Sequence, residues 1–406
     1  MTARLLTLDD LDLPSLRGKR VLVRVDFNVP IEDGRVADDT RLRESLPTIE
    51  ELRGAGARVV LASHRGRPKG APDPKHSLHP VAEYLGGLLG GPVAFAEDCV
   101  GEPARAAVAA LEDGGVLLLE NLRFHAGETE NEEAFAAALA ELGDAYVGDA
   151  FGAAHRAHAS VVGVPARLRR KAAGRLMVAE VAALGRLLGD VEKPYVAVIG
   201  GAKIEGKIDT IANLLELVDT LVLGGGMANT FLRAQSREIG DSLFEPDKVP
   251  LAAQLLQQAA ARGVEVLLPV DLVVADAIDA PQSAREVAAE AGVPTGGKAL
   301  DIGPESRRRF AAAIAGARTV FWNGPMGVAE RPPFDAGTRA VAAAVADVAG
   351  FSVIGGGETV AAARQAGVAE RIGHVSTGGG ASLEFLAGLE LPGVEALRSG
   401  SSREGA

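Results

Sequence analysis

Arginines, histidines and short polar side chains gather in a few segments of the first half of the chain. Asp26, Phe27 and Asn28 stand together. Arg41 opens a helical pattern in DDTRLRE (38 to 44), and His64, Arg65, Gly66 and Arg67 share SHRGRP (63 to 68). Arg123 and His125 share ENLRFH (120 to 125), and His155, Arg156 and His158 share AHRAH (154 to 158). Guanidinium groups that converge from several segments suit bidentate recognition of phosphate and carboxylate, while Asp26 and Asn28 can bond hydroxyls. Six of the seven histidines fall in the first 158 residues, which makes this half the one expected to hold an anion. A small phosphorylated acid fits that set.

The second half carries glycine and lysine instead, in IGGAKIEGK (199 to 207), GGGM (224 to 227), WNGPMGV (322 to 328), GGGET (355 to 359) and STGGG (376 to 380). Glycines let backbone N–H groups approach phosphate oxygens, and a following helix turns its positive end toward them. Three glycine triplets together with Lys203 and Lys207 point to a nucleotide polyphosphate. Residues 201 to 208, GAKIEGKI, match G-x-x-x-x-G-K but end in Ile208, where a P-loop needs a hydroxyl for magnesium. The dinucleotide pattern G-x-G-x-x-G does not occur, nor do H-E-x-x-H or paired C-x-x-C, so a Rossmann dehydrogenase and tightly held zinc both lose support.

These segments follow short apolar runs, which are the elements that must position them. The runs are VLVRVD (21 to 26), ARVVLAS (57 to 63), GVLLLE (115 to 120), AYVGDA (145 to 150), YVAVIGG (195 to 201), TLVLGGG (220 to 226), VEVLLPVD (264 to 271), TVFWNG (319 to 324) and FSVIGGG (351 to 357). They are continuously apolar rather than alternating, and longer alanine- and leucine-rich stretches separate them, as parallel strands covered on both faces require. The expected fold class is α/β: two doubly wound Rossmann-like domains with parallel sheets, ligands lying beyond the carboxyl ends of the strands. The expected division is an N-terminal domain at 1–170, a hinge helix at 171–190, a C-terminal domain at 191–390 and a tail at 391–406 that returns to the N-terminal domain. Its last stretch, RSGSSREGA (398 to 406), lacks apolar periodicity and is expected to fray.

With 406 residues, 47% hydrophobic and 24% charged, the chain has ample material for two cores and is no disordered sequence. A formal charge of −12 argues against nucleic acid or an acidic membrane as partner. One cysteine, Cys99, allows no internal disulfide and fits a reducing compartment. The opening MTARLLTLDD has no signal-peptide pattern, so the expected location is the cytoplasm, and a monomer is expected.

The blocks KRVLVRVDFNVP (19 to 30), SHRGRP, ENLRFH, GDAFGAAHRAH (148 to 158), GGAKIEGK, GGGMANTFL (224 to 232), LPVD (268 to 271), DIGPES (301 to 306), WNGPMGVAE (322 to 330), GGGET and HVSTGGGASLE (374 to 384) follow one another in a familiar order. Along almost its whole length the chain resembles the phosphoglycerate kinase family. The resemblance implies 3-phosphoglycerate or 1,3-bisphosphoglycerate on the N-terminal domain and ADP or ATP with Mg2+ on the C-terminal domain. It implies acid contacts from Asp26, Phe27, Asn28, Arg41, His64, Arg65, Gly66, Arg67, Arg123 and Arg156. Nucleotide contacts would come from Gly201, Lys203, Lys207, Asn323, Pro325, Glu330, Gly356, Gly357, Glu358 and Thr359, with Glu358 as the metal ligand. Arg41, Lys203 and the amides of Gly355 and Gly379 would surround the phosphoryl group in flight. The chain departs from the family's usual pattern at Glu358, where Asp is common, at Arg65, where Leu is usual, and at Gly206, often Asp.

The reaction so implied is reversible phosphoryl transfer between an acyl phosphate and ADP. The acceptor is a carboxylate, ionised at neutral pH with a pKa of about 3 to 4, and needs no general base. This accords with the lack of any activated-nucleophile motif. The competing readings are a non-enzymatic two-lobed protein that clamps a phosphorylated metabolite, and a nicotinamide-dependent dehydrogenase.

Overall fold

The computed structural model describes residues 4–189 and 191–400, so the expectations for Asp190 and for residues 401–406 lie outside the described residues. The chain divides into two compact units, one running to Ala182 and resuming at Glu390, the other spanning Ala183–Leu389. In the first unit, in chain order, come β1 (Arg20–Val25), α1 (Thr40–Gly54), β2 (Arg58–Ala62), β3 (Ala94–Ala96), α2 (Gly101–Ala109), β4 (Val116–Leu119), β5 (Ala145–Asp149) and β6 (Lys171–Ala173). The strands form one parallel sheet in the order β3-β4-β2-β1-β5-β6. Val21, Val23, Val25, Val59, Leu61 and Leu118 pack on one face against Leu42, Ile49 and Leu52 of α1. Leu22 and Val60, pointing the other way, are equally buried, which is why these strands read as unbroken apolar runs.

α3 (Arg175–Leu188) leads into the second unit, which contains β7 (Tyr195–Ile199), β8 (Thr220–Leu223), α4 (Gly225–Ala234), β9 (Glu265–Leu267), β10 (Asp271–Ala275), β11 (Arg285–Ala288), β12 (Lys298–Ile302), β13 (Thr319–Asn323), β14 (Phe351–Gly355), α5 (Gly357–Gln365), β15 (His374–Val375) and α6 (Gly380–Leu386). Its main sheet is parallel, ordered β9-β8-β7-β13-β14-β15, with Val196, Val198, Val320, Trp322 and Ile354 packed against Phe310, Ile314, Val341 and Val345. Both sheets are of the doubly wound α/β class. No helix among the described residues is long and apolar enough to cross a membrane.

Four details differ from the sequence expectations. The hinge helix does not start at Lys171: Lys171–Ala173 form β6, paired with Tyr146–Gly148, and the helix starts at Arg175. Lys-Ala-Ala has good helix propensity, but pairing with a buried strand overrides it. Gly174 marks the change of direction, since a Cβ there would stand 2.3 Å from Asp149 Oδ1. The run VEVLLPVD is not one strand: β9 ends at Leu267, Pro269 interrupts, and β10 starts at Asp271 in a separate antiparallel sheet ordered β11-β10-β12. That small sheet was not anticipated. Finally, Arg398–Gly400 do not fray, because Arg398 bridges Leu5 and Ser399 N–H donates to Arg4 O over 2.9 Å. The tail is held in the first unit by Leu391, Val394 and Leu397, all buried, with Leu397 against Gly148 of β5.

Candidate functional site

In the first unit the carboxyl ends of β1, β2, β4 and β5 bring the charged segments together. Asp26, just past β1, is buried and accepts a 2.8 Å hydrogen bond at Oδ2 from Arg41 of α1; the same guanidinium nitrogen reaches Asn28 O at 3.3 Å. Asn28 is exposed, and its Oδ1 accepts from Gly66 N–H at 2.9 Å. Gly66 has φ +63, and a Cβ there would come 2.1 Å from the His76 ring, so the turn after β2 strongly favours glycine. Gly66 O in turn accepts from Arg123 at 2.7 Å. Arg67 is exposed on the same turn, and Arg156 is half-buried beside His155, whose Nε2 accepts from it at 3.2 Å. Phe27 points into the core, and its backbone N–H donates to Ser63 Oγ at 2.8 Å.

Arg65 goes elsewhere. Its guanidinium donates to the carbonyls of Val29 and Ser77, both at 3.4 Å, and of Lys75, while Asn121 Nδ2 donates to Arg65 O at 2.7 Å. This partly buried side chain therefore pins the 74–77 segment to the turn, its guanidinium spent on backbone carbonyls rather than aimed at Asp26.

Sequence reasoning missed Arg24. It lies inside β1, 2% exposed, donating to Ser160 Oγ at 2.8 Å and sharing a 3.1 Å bond with His64 Nδ1. A guanidinium can only donate, so His64 Nδ1 accepts and the ring is neutral with its proton on Nε2. Burial, reinforced by Arg24, Arg123 and Arg41, holds the His64 pKa well below its ordinary value, in agreement with that tautomer. His158 is lowered to about 4, first by burial and then by Arg123 and Arg24. Burial with the nearby Arg156 and Arg24 pushes the Arg123 guanidinium down to about 10. Its buried Nε has no hydrogen-bond partner among the described residues. Mutually repelling guanidinium groups, one with an orphaned donor, are costly by themselves and are relieved by an anion.

The second unit has a cleft of about 490 Å3 along the carboxyl ends of its main sheet, lined by Gly201, Gly225, Pro325, Glu330 and Glu358 among others. Its apolar walls come from Leu243, Ile278, Leu300 and Val328. Leu243 and Ile278 are 52% and 45% exposed, unusual for such large apolar side chains, and fit the flat face of a base. These walls, partly on the unanticipated small sheet, were not foreseen either. The only sequence signal was a pair of apolar residues in polar loops.

The glycines here serve the loops as well as any ligand. Gly201 (φ +111) donates through N–H to Pro325 O at 2.8 Å, and Gly225 N–H donates to Met326 O at 2.9 Å, stitching three strand ends together. Asn323 is buried and its Nδ2 donates to Gly355 O at 2.8 Å; Thr359 Oγ1, also buried, accepts from Gly324 N–H at 2.6 Å. Both side chains thus hold the loops. Gly356 (φ +93) precedes α5, whose first turn presents Gly357 and the exposed Glu358, and Gly379 (φ +53) precedes α6. Lys203 is exposed on the 201–207 loop, while Lys207 donates to Gly200 O. Burial lowers the Lys207 pKa to about 8, with Glu358 opposing the shift. Gly206 (φ +79) has open space where a side chain would stand, but its φ favours glycine.

Residues 8–389 match the family profile described as phosphoglycerate kinase. The chain is 59% identical over 392 residues to a phosphoglycerate kinase of Moorella thermoacetica, covering 97% of this chain and 98% of that one. It is 53% identical over 401 residues to one of Streptomyces griseus, covering 96% and 99%. The solved phosphoglycerate kinase of Coxiella burnetii superposes with a TM-score of 0.86 at 42% identity over 97% of this chain and 99% of that one. That of Pyrococcus horikoshii gives 0.85 at 34% over 97% and 98%. With a profile covering nearly all of it and relatives this similar end to end, the chain belongs to the phosphoglycerate kinase family.

Proposed function

We infer that the chain catalyses glycolytic phosphoryl transfer between 1,3-bisphosphoglycerate and ADP, giving 3-phosphoglycerate and ATP, reversibly. Family membership carries the reaction. The observation that best supports the acid's place is the buried Nε of Arg123, without a hydrogen-bond partner among the described residues, within a cluster of guanidinium groups. In this proposal Asp26 and Asn28 bond the acid's hydroxyl, Arg123, Arg156 and Arg67 take its phosphate, and His64 donates from Nε2. Arg41, already oriented by Asp26, faces the reacting carboxylate. Gly201, Pro325 and Glu330 receive the base and ribose, and Lys203, Lys207 and the first turn of α5 receive the phosphates. The amides of Gly355 and Gly379 complete the set around the transferred group.

The acid's carboxylate attacks without a base, so the chain's contribution is alignment and charge stabilisation. Magnesium fits the donor set: Glu358 offers an exposed carboxylate at the mouth of the cleft, and this cation prefers one or two carboxylates plus phosphate oxygens and water. When bound it neutralises phosphate charge. In-line transfer needs reacting atoms about 3–3.5 Å apart, so the proposal includes closure of the two units around both substrates, which also keeps water from the acyl phosphate. A cytoplasmic monomer completes it.

The direct test is a coupled assay with 3-phosphoglycerate and ATP, in which glyceraldehyde-3-phosphate dehydrogenase reports product as NADH loss. Magnesium-dependent turnover is expected, with Glu358 serving as Asp would. No turnover with magnesium or manganese would sink the reading in favour of a binding protein.

Lys207 supplies a second test. Below pH 8 it is charged, and it loses that charge as pH rises through about 8. If only the protonated form binds phosphate, the Kd for ADP rises by up to about tenfold per pH unit above that point. Lys207→Arg, charged throughout, is expected to flatten the profile between pH 7 and 9.5. A wild-type Kd that stays level over that range would remove Lys207 from the site.

A further inference from the structure

One group of ligating side chains lies outside both sites. Asp98 and Cys99 occupy the loop between β3 and α2, and His125 follows β4, the neighbouring strand, so the parallel sheet delivers both loops to the same end. One ligand atom from each of the three lies within 4.8 Å of the others. His125 Nε2 is 2.7 Å from Asp98 Oδ1, and the imidazole stacks on Phe135 with ring centroids 5.3 Å apart, which fixes its plane. Asp98 Oδ1 also accepts from Cys99 N–H at 2.7 Å, setting the carboxylate against the residue that bears the thiol. Cys99 is fully buried, whereas Asp98 and His125 are 39% and 35% exposed, so the trio has a soft donor at its base and a wet mouth.

We propose that Asp98, Cys99 and His125 form a binding site for a thiophilic divalent cation of the zinc class. The donor set decides the class: sulfur, imidazole nitrogen and carboxylate oxygen suit zinc or cobalt, whereas magnesium takes oxygen ligands and has Glu358 elsewhere. Tetrahedral zinc with bonds near 2.0–2.1 Å separates adjacent N and O ligands by about 3.3 Å, so the His125–Asp98 pair opens by roughly 0.6 Å on binding. That is a side-chain adjustment at two half-exposed residues. Binding converts the Cys99 S–H to thiolate, releases that proton to solvent, and leaves the fourth position to water. The ion ties the β3–α2 loop to the segment that carries Arg123, two residues before His125.

Because Cys99 is the chain's single cysteine, any sulfur-to-metal charge transfer reports this site and no other. Titrating metal-free protein with Co2+ is expected to give a near-ultraviolet thiolate-to-cobalt band that saturates at one equivalent and is displaced by Zn2+. Cobalt at the nucleotide cleft would be silent in that band. Cys99→Ser should abolish it, and Asp98→Ala and His125→Ala should each weaken cobalt binding at least tenfold with an unchanged circular dichroism spectrum. Should Cys99→Ser fail to fold, the other two variants still decide. No band at saturating cobalt, or a band whose affinity both of those variants leave unaltered, overturns the proposal.

Discussion

Arg41→Ala is expected to lower kcat for 3-phosphoglycerate phosphorylation by about 10²–10³-fold, as removal of one preorganised hydrogen-bond donor to developing charge does. The KM for the acid should rise less. Arg41 is held by Asp26 Oδ2 at 2.8 Å and by Asn28 O at 3.3 Å, so its guanidinium is oriented before any substrate arrives. Taking it away does more than delete a donor: it leaves Asp26, 7% exposed, without its 2.8 Å partner, so that more of its negative charge bears on the proposed seat of the substrate carboxylate. The double variant Arg41→Ala/Asp26→Asn separates these effects. If repulsion from Asp26 dominates, the double variant recovers part of the lost rate; if the missing donor dominates, it is no faster than the single one. Arg41→Lys should fall between, because a lysine keeps the charge but not the forked geometry. Arg41→Ala with near-normal turnover would place the phosphoryl charge elsewhere.

The strand ends were legible because a parallel strand buried on both faces has no polar positions to blur it, so the first polar residue after each run marks the rim. His64, Arg123 and Asp26 were found that way, by place as much as by type. Arg24 was not, because it sits inside VLVRVD and its partner Ser160 is 136 residues away; only the fold reveals that this charge underlies His64. The strand Lys171–Ala173 was hidden for a related reason, its pairing with Tyr146–Gly148 outweighing the local preference of lysine and alanine. Arg65 was legible as a departure from the family's usual Leu, but its ties to the carbonyls of Val29, Lys75 and Ser77 belong to a loop that composition does not place. In the glycine-rich half the pattern could not say which glycines serve the chain and which leave room for a ligand.

Two glycines next to Pro325 and Glu358 of the second unit's cleft, the proposed nucleotide site, should separate those purposes. A Cβ at Gly324 would stand 2.2 Å from Gly200 O and 2.7 Å from Lys207 Nζ, at φ +94. The nearest obstacle is backbone, which cannot swing aside as a side chain can, and the left-handed φ adds its own cost. Gly324→Ala is therefore expected to destabilise the protein by about 3 kcal/mol and to weaken ADP binding at least tenfold by displacing the Gly200 loop and Lys207. Gly357 is the contrast: a Cβ there meets nothing within 4 Å, and it lies in the first turn of α5, where alanine is a better helix former. Gly357→Ala should leave thermal stability within about 0.5 kcal/mol of the parent or raise it. If that glycine exists to let a phosphate approach the helix N-terminus, ADP affinity nevertheless falls about tenfold. Calorimetry of ADP and of 3-phosphoglycerate binding on both variants, beside their melting curves, reads all four quantities. Loss of ADP affinity with intact stability at Gly357 assigns the free space there to the ligand; unchanged affinity would mean that the phosphates lie elsewhere along the cleft.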